Sequence, residues 1–228
     1  MRPPPSGPPP RFLALPYRKP QLGRDYWIQD QMLPNALEIR ERCLAKPHWD
    51  MGLPYRKETW PGMRAADALL PEELERVEAW VREKTGAKRL WEERTAEGLK
   101  LNHNCVQLVA EKDSGPRPHT DSLRLCRYAA VLYLTPDAPP DAGTSFYRLR
   151  LPNGALSGNL CPPPHANLRE ALGITGLPLQ AWSEDMSLPN VFNRFLLYRA
   201  DLVHSATRYF GVEPATQRMT AVFFWMAA

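Results

Sequence analysis

The sequence has few cysteines and no long apolar run. Four cysteines are spread over 228 residues and no two have CxxC spacing, which excludes a disulfide-rich scaffold and a zinc ribbon. No run approaches about 18 apolar residues, so we expect no transmembrane helix and no membrane partner. The first residues, MRPPPSGPPPRF, lack the apolar centre of a secretory signal. We therefore expect a soluble, cytoplasmic protein with reduced thiols.

The sequence also lacks a block of like charges. The formal net charge is +4 and the basic residues are spread along the chain. Nucleic-acid-binding proteins typically concentrate them in one patch, so we expect no nucleic-acid partner. A hydrophobic fraction of 43% is enough for one globular domain with its own core.

Proline is abundant, with 25 residues, and part of it lies in the N-terminal run PPPSGPPP. We interpret residues 1–22 as a flexible tail and residues 23–228 as a single domain. Two helices are predicted after the tail, because apolar residues recur at helical spacing over 33–46 and again over 70–86. Pro71 suits the start of the second helix and Gly86 its end. Residues 23–97 are therefore predicted to be a helical support region.

The second half of the chain has the pattern of a β protein. At least six strands are predicted, within residues 99–111, 127–135, 143–150, 194–210 (two strands) and 218–227. No strand is followed by a helix of βαβ type, which favours antiparallel pairing. The predicted fold is α+β and mainly β, an antiparallel sandwich or jelly roll with its core in residues 98–228. A long insertion at about 151–190, with a short helix at 166–173, suggests a lid or substrate loop.

A histidine and an aspartate stand two residues apart in PRPHTDSLR. Residues at i and i+2 of a strand point to the same face, so His119 and Asp121 can reach one point. His204 lies at the end of a later predicted strand. Two imidazoles and one carboxylate form the facial triad of non-heme Fe(II) oxygenases, which leaves three metal positions open. The same residues would also fit a solvated turn with an Asp–His hydrogen bond and a buried structural histidine.

An arginine at the start of the last predicted strand suits a carboxylate. The guanidinium of Arg218 offers a planar, bidentate partner for such a group, for example the distal carboxylate of 2-oxoglutarate. Thr220 lies on the same face and can donate a hydroxyl hydrogen bond. Arg208 competes for the anchoring role, and Arg218 would alternatively be a surface residue paired with Glu213.

The order of HxD, distant His and Arg-x-Thr resembles the Fe(II)/2-oxoglutarate-dependent oxygenases, in particular the prolyl-hydroxylase-like group. The resemblance covers about residues 98–228 and includes PHTD, VLYLTPD, AGTSFY, NRFLLYRADLVHSA and RMTAVFFW. It implies a double-stranded β-helix that uses Fe(II), 2-oxoglutarate and O₂. The iron ligands implied are His119, Asp121 and His204. The residues implied for the distal carboxylate of 2-oxoglutarate are Arg218, Thr220 and Tyr133.

The resemblance also implies a reaction. The chain would hydroxylate or otherwise oxidise an unactivated C–H bond of a small molecule, with release of succinate and CO₂. We expect an amino acid or a peptide-like metabolite, with candidate contacts in the loop 48–64, in the insertion 151–190, and at Arg124 and Arg127. Two departures are Ala142-Gly143 in place of a Gly-Gly turn and a long spacing between His204 and Arg218. The alternatives are a catalytically silent β-helix protein that binds metal or ligand as a sensor or scaffold, and a cupin-like enzyme without 2-oxoglutarate.

Overall fold

Eleven strands, three α-helices and one 3₁₀ turn follow one another along the part of the chain that the structure describes. A computed structural model describes residues 14–94, 96, 98, 102–174 and 176–228. The strands are Tyr26–Gln29 (β1), Asp50–Met51 (β2), Met63–Ala65 (β3), Leu90–Trp91 (β4), Cys105–Val109 (β5), Tyr128–Tyr133 (β6), Thr144–Leu149 (β7), Trp182–Leu188 (β8), Phe195–Arg199 (β9), His204–Ala206 (β10) and Arg218–Ala227 (β11). The α-helices are Ala36–Leu44 (α1), Pro71–Thr85 (α2) and Leu168–Leu172 (α3), and Leu179–Ala181 forms one 3₁₀ turn.

The strands form two antiparallel sheets. The larger sheet has the order β1-β9-β6-β11-β5-β3-β2, and β4 pairs with the end of β11. The smaller sheet has the order β10-β7-β8. Every pairing between the named strands is antiparallel. The predicted mainly β, jelly-roll architecture is confirmed.

The two faces of the larger sheet carry different cores, as β11 shows. One set of its side chains packs with the helices in what we call the outer core: Met219, Ala221, Phe223 and Trp225. Val222 belongs instead to the inner core, which also contains Phe146 of the smaller sheet. Because successive side chains of a strand point to opposite faces, Arg218 and Thr220 lie on the inner face with Val222.

The predicted helices α1 and α2 are present and cover the outer face. Ile39 and Cys43 of α1 and Val77 and Val81 of α2 are fully buried in the outer core at i, i+4 spacing. Burial of one such valine stabilises the fold by about 1.5–3 kcal/mol. Gly86 ends α2 in the left-handed conformation, with φ of 74°, as its position in the sequence predicts.

The predicted strands are present with small shifts in their bounds, and β11 has the predicted limits. Strand β5 is shorter than the predicted segment, of which residues 99–101 lie outside the described residues. The short strands β1 to β4 were not predicted. The region 23–97, predicted as helical support, therefore also contributes strands to the larger sheet. Strand β1 forms one edge of this sheet, β3 and β2 form the other, and β4 pairs with the end of β11.

The segment 151–190 contains a strand as well as a loop. The predicted short helix is present as α3, and the side chain of Asn167 caps it by accepting a hydrogen bond from Glu170 N. The segment then ends in β8, which pairs with β7 and completes the smaller sheet. The irregular part of the insertion is therefore about residues 151–181.

The last part of the predicted N-terminal tail is packed against this insertion. Residues 1–13 lie outside the described residues. Leu15 is buried, and its N–H donates to Ser157 Oγ at 2.9 Å. Pro16 O accepts hydrogen bonds from the N–H groups of Asn159 and Leu160. These hydrogen bonds join residues 15 and 16, which lie within the predicted tail, to the insertion. Among the described residues, each helix is too short or too polar to span a bilayer.

Candidate metal centre

The HxD segment lies alongside β10. His119 and His204 form an antiparallel bridge, with N–O distances of 3.0 Å and 2.9 Å between their backbone groups. The N–H of Asp121 donates to Ala200 O at 3.1 Å, which fixes the segment two residues further on. The structure thus brings the three predicted ligands together, and one ligand atom from each lies within 4.8 Å of the others.

Both imidazoles are oriented by backbone carbonyls. Nδ1 of His119 lies 2.7 Å from Arg117 O, and Nδ1 of His204 lies 2.9 Å from Leu202 O. A carbonyl oxygen only accepts hydrogen bonds, so each Nδ1 carries the proton. Each Nε2 is left with a free lone pair, which is how metal-binding histidines are commonly arranged.

Asp121 completes the cluster with an oxygen that has no donor. Its Oδ1 lies 3.8 Å from His119 Nε2 and its Oδ2 lies 3.5 Å from His204 Nε2. Both distances exceed those of normal hydrogen bonds, which argues against the polar-turn interpretation. Oδ2 is buried and accepts no hydrogen bond. A buried carboxylate oxygen without a partner is costly, so this cluster fits a bound cation.

Burial keeps His204 neutral. It lowers the pKa of His204 from 6.5 to about 4, and this outweighs the opposite effect of the Asp121 carboxylate. Neutral imidazole is the form that binds metal ions. His119 is the exposed member, with 55% of its side chain accessible, so the centre is open on that side.

The Arg218 guanidinium is buried on the inner face. Its Nε donates to Ala142 O at 3.2 Å and one terminal nitrogen donates to Gly143 O at 3.3 Å. The rings of Tyr133 and Tyr209 lie 5.5 Å and 5.8 Å from its central carbon. It forms no ion pair with any carboxylate among the described residues, Glu213 included. A buried cation without an anion suits an anionic ligand.

Two hydroxyl groups lie on the same face. Thr220 and Tyr133 are direct neighbours across β11 and β6. The Tyr133 hydroxyl shares a 2.7 Å hydrogen bond with Thr144 Oγ1, and burial raises the pKa of Tyr133, so it stays protonated. The Thr220 Oγ1 atom is buried and has no hydrogen-bond partner. It therefore has a hydroxyl hydrogen to offer to a ligand next to Arg218.

Arg208 lies elsewhere. Its guanidinium forms a two-point contact with Asp141, at 2.7 Å and 2.8 Å, on the protein surface. It lines neither of the two cavities that adjoin the metal-ligand cluster. The observed position therefore disfavours Arg208 and favours Arg218 as the anion-binding arginine.

Two adjoining cavities meet at the metal cluster. The inner cavity, of about 500 Å³, is lined by the three clustered ligands together with Arg218 and Thr220. The outer cavity, of about 480 Å³, is lined by His119, Asp121 and a mostly apolar set of side chains. His103 also lines the outer cavity. Tyr133 lines neither cavity and contacts the site through Arg218 and Thr144.

Some of the substrate contacts predicted from sequence line the two cavities and others do not. Trp60 of the loop 48–64 lines both cavities, and part of the insertion around α3 lines the outer one. Arg124 instead pairs with Glu170 at 3.1 Å, and Arg127 lines neither cavity. Arg64 lies at the end of the predicted loop 48–64 and lines both cavities, but it was not singled out from the sequence because its strand is only three residues long.

Solved structures with a similar fold include three non-heme or 2-oxoglutarate-binding proteins. No protein-family model matches the chain, and no curated protein sequence matches it. The α-ketoglutarate-dependent epimerase SnoN and carbocyclase SnoK, both from nogalamycin biosynthesis, each have a TM-score of 0.53, at 20% and 14% identity. HygX from Streptomyces hygroscopicus, solved with nickel and 2-oxoglutarate bound, has a TM-score of 0.50 at 17% identity. Each match covers 90% of this chain and 80%, 81% and 84% of the respective structure.

At these identities the likeness concerns the fold, and it extends over most of both chains. The double-stranded β-helix expected from the sequence is confirmed, and the chain has the fold of these non-heme α-ketoglutarate-dependent enzymes.

Proposed function

We propose that this chain is an Fe(II)- and 2-oxoglutarate-dependent oxygenase that acts on a small molecule. The overall reaction converts a C–H bond of the substrate, 2-oxoglutarate and O₂ into a C–OH bond, succinate and CO₂. The observation that carries the proposal is the Asp121 Oδ2 atom, buried without a donor between two imidazoles whose Nε2 atoms are free. The donor set of two nitrogens and one carboxylate matches the facial triad.

Each part of the chain has a defined task in this proposal. His119, Asp121 and His204 hold Fe(II), which when bound supplies the activation of O₂ coupled to oxidation of 2-oxoglutarate. Arg218 and Thr220 bind the distal carboxylate of 2-oxoglutarate, and Tyr133 supports Arg218 through its ring. The carbonyls of Arg117 and Leu202 fix the imidazole orientations. The inner core below the cavity keeps bulk water from the buried side of the site.

The proposal also names a reaction type and a substrate class. Hydroxylation is our first choice, with an amino acid or a peptide-like metabolite as substrate. SnoN and SnoK are described as an epimerase and a carbocyclase, so the fold hosts other outcomes as well. The intact Asp121 favours C–H oxidation over halogenation, because in the halogenating relatives a small residue replaces this aspartate.

The first test measures succinate formation from 2-oxoglutarate by the Fe(II)-loaded protein under air. We expect the wild type to form succinate and the His119→Ala and Asp121→Ala variants to form none, because each change removes a metal ligand. Iron content is measured in parallel and should fall in both variants. Circular dichroism should show an unchanged fold, since neither side chain belongs to a hydrophobic core.

His48→Ala is the matched control, because His48 is exposed and lies outside the cluster. It should keep both iron and turnover. Retained turnover in the His119 or Asp121 variants would contradict the assignment of the ligands. Stoichiometric iron without succinate formation, in the absence of measurable 2-oxoglutarate binding, would support the silent sensor or scaffold instead.

A further inference from the structure

Arg64 projects from the short strand β3 onto the inner face of the larger sheet. Met63 and Ala65, on either side of it, pack in the outer core, so alternation directs Arg64 the other way. Its guanidinium lies over the ring of Trp60, with the central carbon 4.9 Å from the ring centroid. It lines both the inner and the outer cavity. Arg64 is therefore at the junction of the two spaces.

The sheet register places Arg64 in a row with the cosubstrate residues. Arg64 pairs with Gln107 of β5, Gln107 with Thr220 of β11, and Thr220 with Tyr133 of β6. Neighbouring strands are about 4.8 Å apart, so Arg64 lies about 10 Å from Thr220 along this row. Beyond Arg64 the row continues to Asp50 of β2, which is exposed and forms no ion pair with Arg64 among the described residues. Arg218 lies beside Thr220 near the other end of the row.

The Arg64 guanidinium has no anionic partner. Among the described residues, no carboxylate forms an ion pair with it, and its Nε atom is buried without a hydrogen bond. Burial lowers the pKa of Arg64 to about 10, although Cys105, Tyr209 and Asp121 act in the opposite direction. A buried cation without an ion pair reduces the stability of the protein unless a ligand supplies the missing negative charge.

The charges of the proposed complex leave Arg64 unbalanced. The two positive charges of Fe(II) and the one of Arg218 match the single negative charge of Asp121 and the two of 2-oxoglutarate. The histidine ligands bind as neutral imidazoles. The other cavity-lining arginines, Arg117 and Arg169, are exposed to solvent and need no partner. Two carboxylates also line the outer cavity, but both have partners of their own. Glu92 pairs with Arg94, and Glu93 accepts a hydrogen bond from Trp91 Nε1. Neither forms an ion pair with Arg64 among the described residues, so the positive charge of Arg64 remains for a further ligand.

The outer cavity beyond Arg64 is mainly apolar. The apolar side chains that line it include Leu125, Leu168, Leu172, Ile174, Leu177 and Phe224. Apolar walls with few polar groups are typical of small-molecule sites, where the polar groups fix the orientation of the ligand. Arg64 lies where this cavity adjoins the inner one, and the carboxylates of Glu92 and Glu93 also line the outer cavity.

We propose that Arg64 binds a negatively charged group of the substrate, most simply a carboxylate, while an apolar part of the substrate fills the outer cavity. This inference rests on the proposed function, because the substrate is bound beside the metal and 2-oxoglutarate. It restricts the substrate to anionic molecules with an apolar body, such as N-acylated amino acids or aromatic acids. Neutral molecules of the same shape are excluded as good substrates.

The test measures binding by calorimetry to protein loaded with Ni(II) and 2-oxoglutarate, which avoids turnover. The probes are N-acetyl-phenylalanine, its neutral primary amide and phenyl phosphate. We expect the wild type to bind at least one of the two anions and to bind the amide at least about tenfold more weakly, because a charge-assisted hydrogen bond is lost. The Arg64→Gln variant should lose this preference for the anion.

Arg56→Gln is the matched control, because Arg56 is exposed in the preceding loop and lines neither cavity. It should bind the probes as the wild type does. Preference for the carboxylate or for the phosphate identifies the anion. Failure of the wild type to bind either anion, or an unchanged preference in Arg64→Gln, would overturn the inference.

The 2-oxoglutarate titration separates this inference from the proposed function. Wild type that does not bind 2-oxoglutarate contradicts the proposed function, whatever the probes do. Weaker 2-oxoglutarate binding in Arg64→Gln, with unchanged probe binding, would assign Arg64 to the cosubstrate and overturn the inference. As a ligand-free check, Arg64→Met should melt at the same or a higher temperature, and a lower melting midpoint would identify a purely structural cation.

Discussion

At the scale of single residues, the site is marked by polar groups that the fold buries and leaves unpaired. Asp121 Oδ2, Thr220 Oγ1 and Arg64 Nε are buried without a hydrogen-bond partner. Each such group costs about 1–3 kcal/mol of stability. All three residues line the same inner cavity, together with Arg218. Their shared location indicates one ligand-binding site, because ligands in that cavity can supply all the missing partners.

The sequence predicts some of these residues because their geometry is local. The spacing of His119 and Asp121 places both side chains on one face. Arg218 and Thr220 are likewise two residues apart in one long strand, so their side chains also point to one face. Arg64 cannot be found in this way. Its position depends on the pairing of β3 with β5, and pairing between distant segments leaves no mark in the local sequence.

Replacement of Arg218 by alanine should weaken 2-oxoglutarate binding at least about tenfold. The reason is the loss of a buried guanidinium that faces the distal carboxylate, which typically costs about 2–5 kcal/mol. Calorimetric titration of the Ni(II)-loaded protein with 2-oxoglutarate measures the change. Arg218→Lys should recover part of the affinity, because it keeps the charge and loses the planar two-point geometry.

Arg208→Ala serves as the comparison for this prediction. Arg208 is exposed and paired with Asp141, so its loss should leave 2-oxoglutarate binding unchanged. The anchor would have to be reassigned to Arg208 if this variant, and not Arg218→Ala, loses the affinity.

At the scale of secondary-structure elements, predictability follows the strength of the pattern. Strand β11 has ten residues and two buried faces, so its apolar run identifies it. Strand β8, with the sequence WSEDMSL, is buried only at its two ends. Its central residues are polar or partly exposed because one face of the smaller sheet is thinly covered there. A strand of this kind resembles a loop in sequence, and it was therefore included in the insertion.

Helices α1 and α2 are joined by one buried carboxylate. Glu73 accepts hydrogen bonds from Asn35 Nδ2 at 2.7 Å, from Arg42 at 2.6 Å and from the backbone N–H of Leu70 at 2.8 Å. The last contact caps the start of α2. This one side chain therefore links both helices that cover the outer core.

Glu73→Ala should lower the free energy of unfolding by about 2–3 kcal/mol, because three donors lose their partner. Urea denaturation followed by circular dichroism measures the change. Glu72→Ala is the control in the same helical turn, where the side chain is exposed, and it should cost about 0.5 kcal/mol. Equal effects of the two changes would show that the Glu73 contacts contribute nothing specific.

At the scale of the whole molecule, the fold separates stability from chemistry. The outer core between the helices and the larger sheet is apolar and closed. The inner face carries the polar row and the inner cavity, and members of the inner core such as Val131, Tyr198 and Val222 form part of the cavity wall. Likeness to SnoN and SnoK at 20% and 14% identity is possible because the alternation of faces, and not the identity of the residues, specifies this arrangement.

The closed outer core also predicts how the protein responds to alkaline pH. Cys43 is fully buried in it, and its Sγ donates to Ala68 O at 3.5 Å. Burial raises the pKa of the Cys43 thiol from 9.0 to about 11 and Glu73 acts in the same direction, whereas Lys46 and Arg42 act against them. Above pH 9 the thiol therefore ionises in the unfolded chain and stays protonated in the folded one.

This pKa difference makes a contribution to the free energy of unfolding that is fully present below pH 9. The contribution is lost as the pH rises towards 11, at up to about 1.4 kcal/mol per pH unit. Cys43→Ala should cost about 1 kcal/mol at pH 7 through lost packing, and its stability should then decline less steeply between pH 9 and 10.5. Urea denaturation of both proteins across this range measures the two slopes. Parallel slopes would mean that the Cys43 thiol ionises equally in the folded and unfolded chains, which is incompatible with a closed outer core.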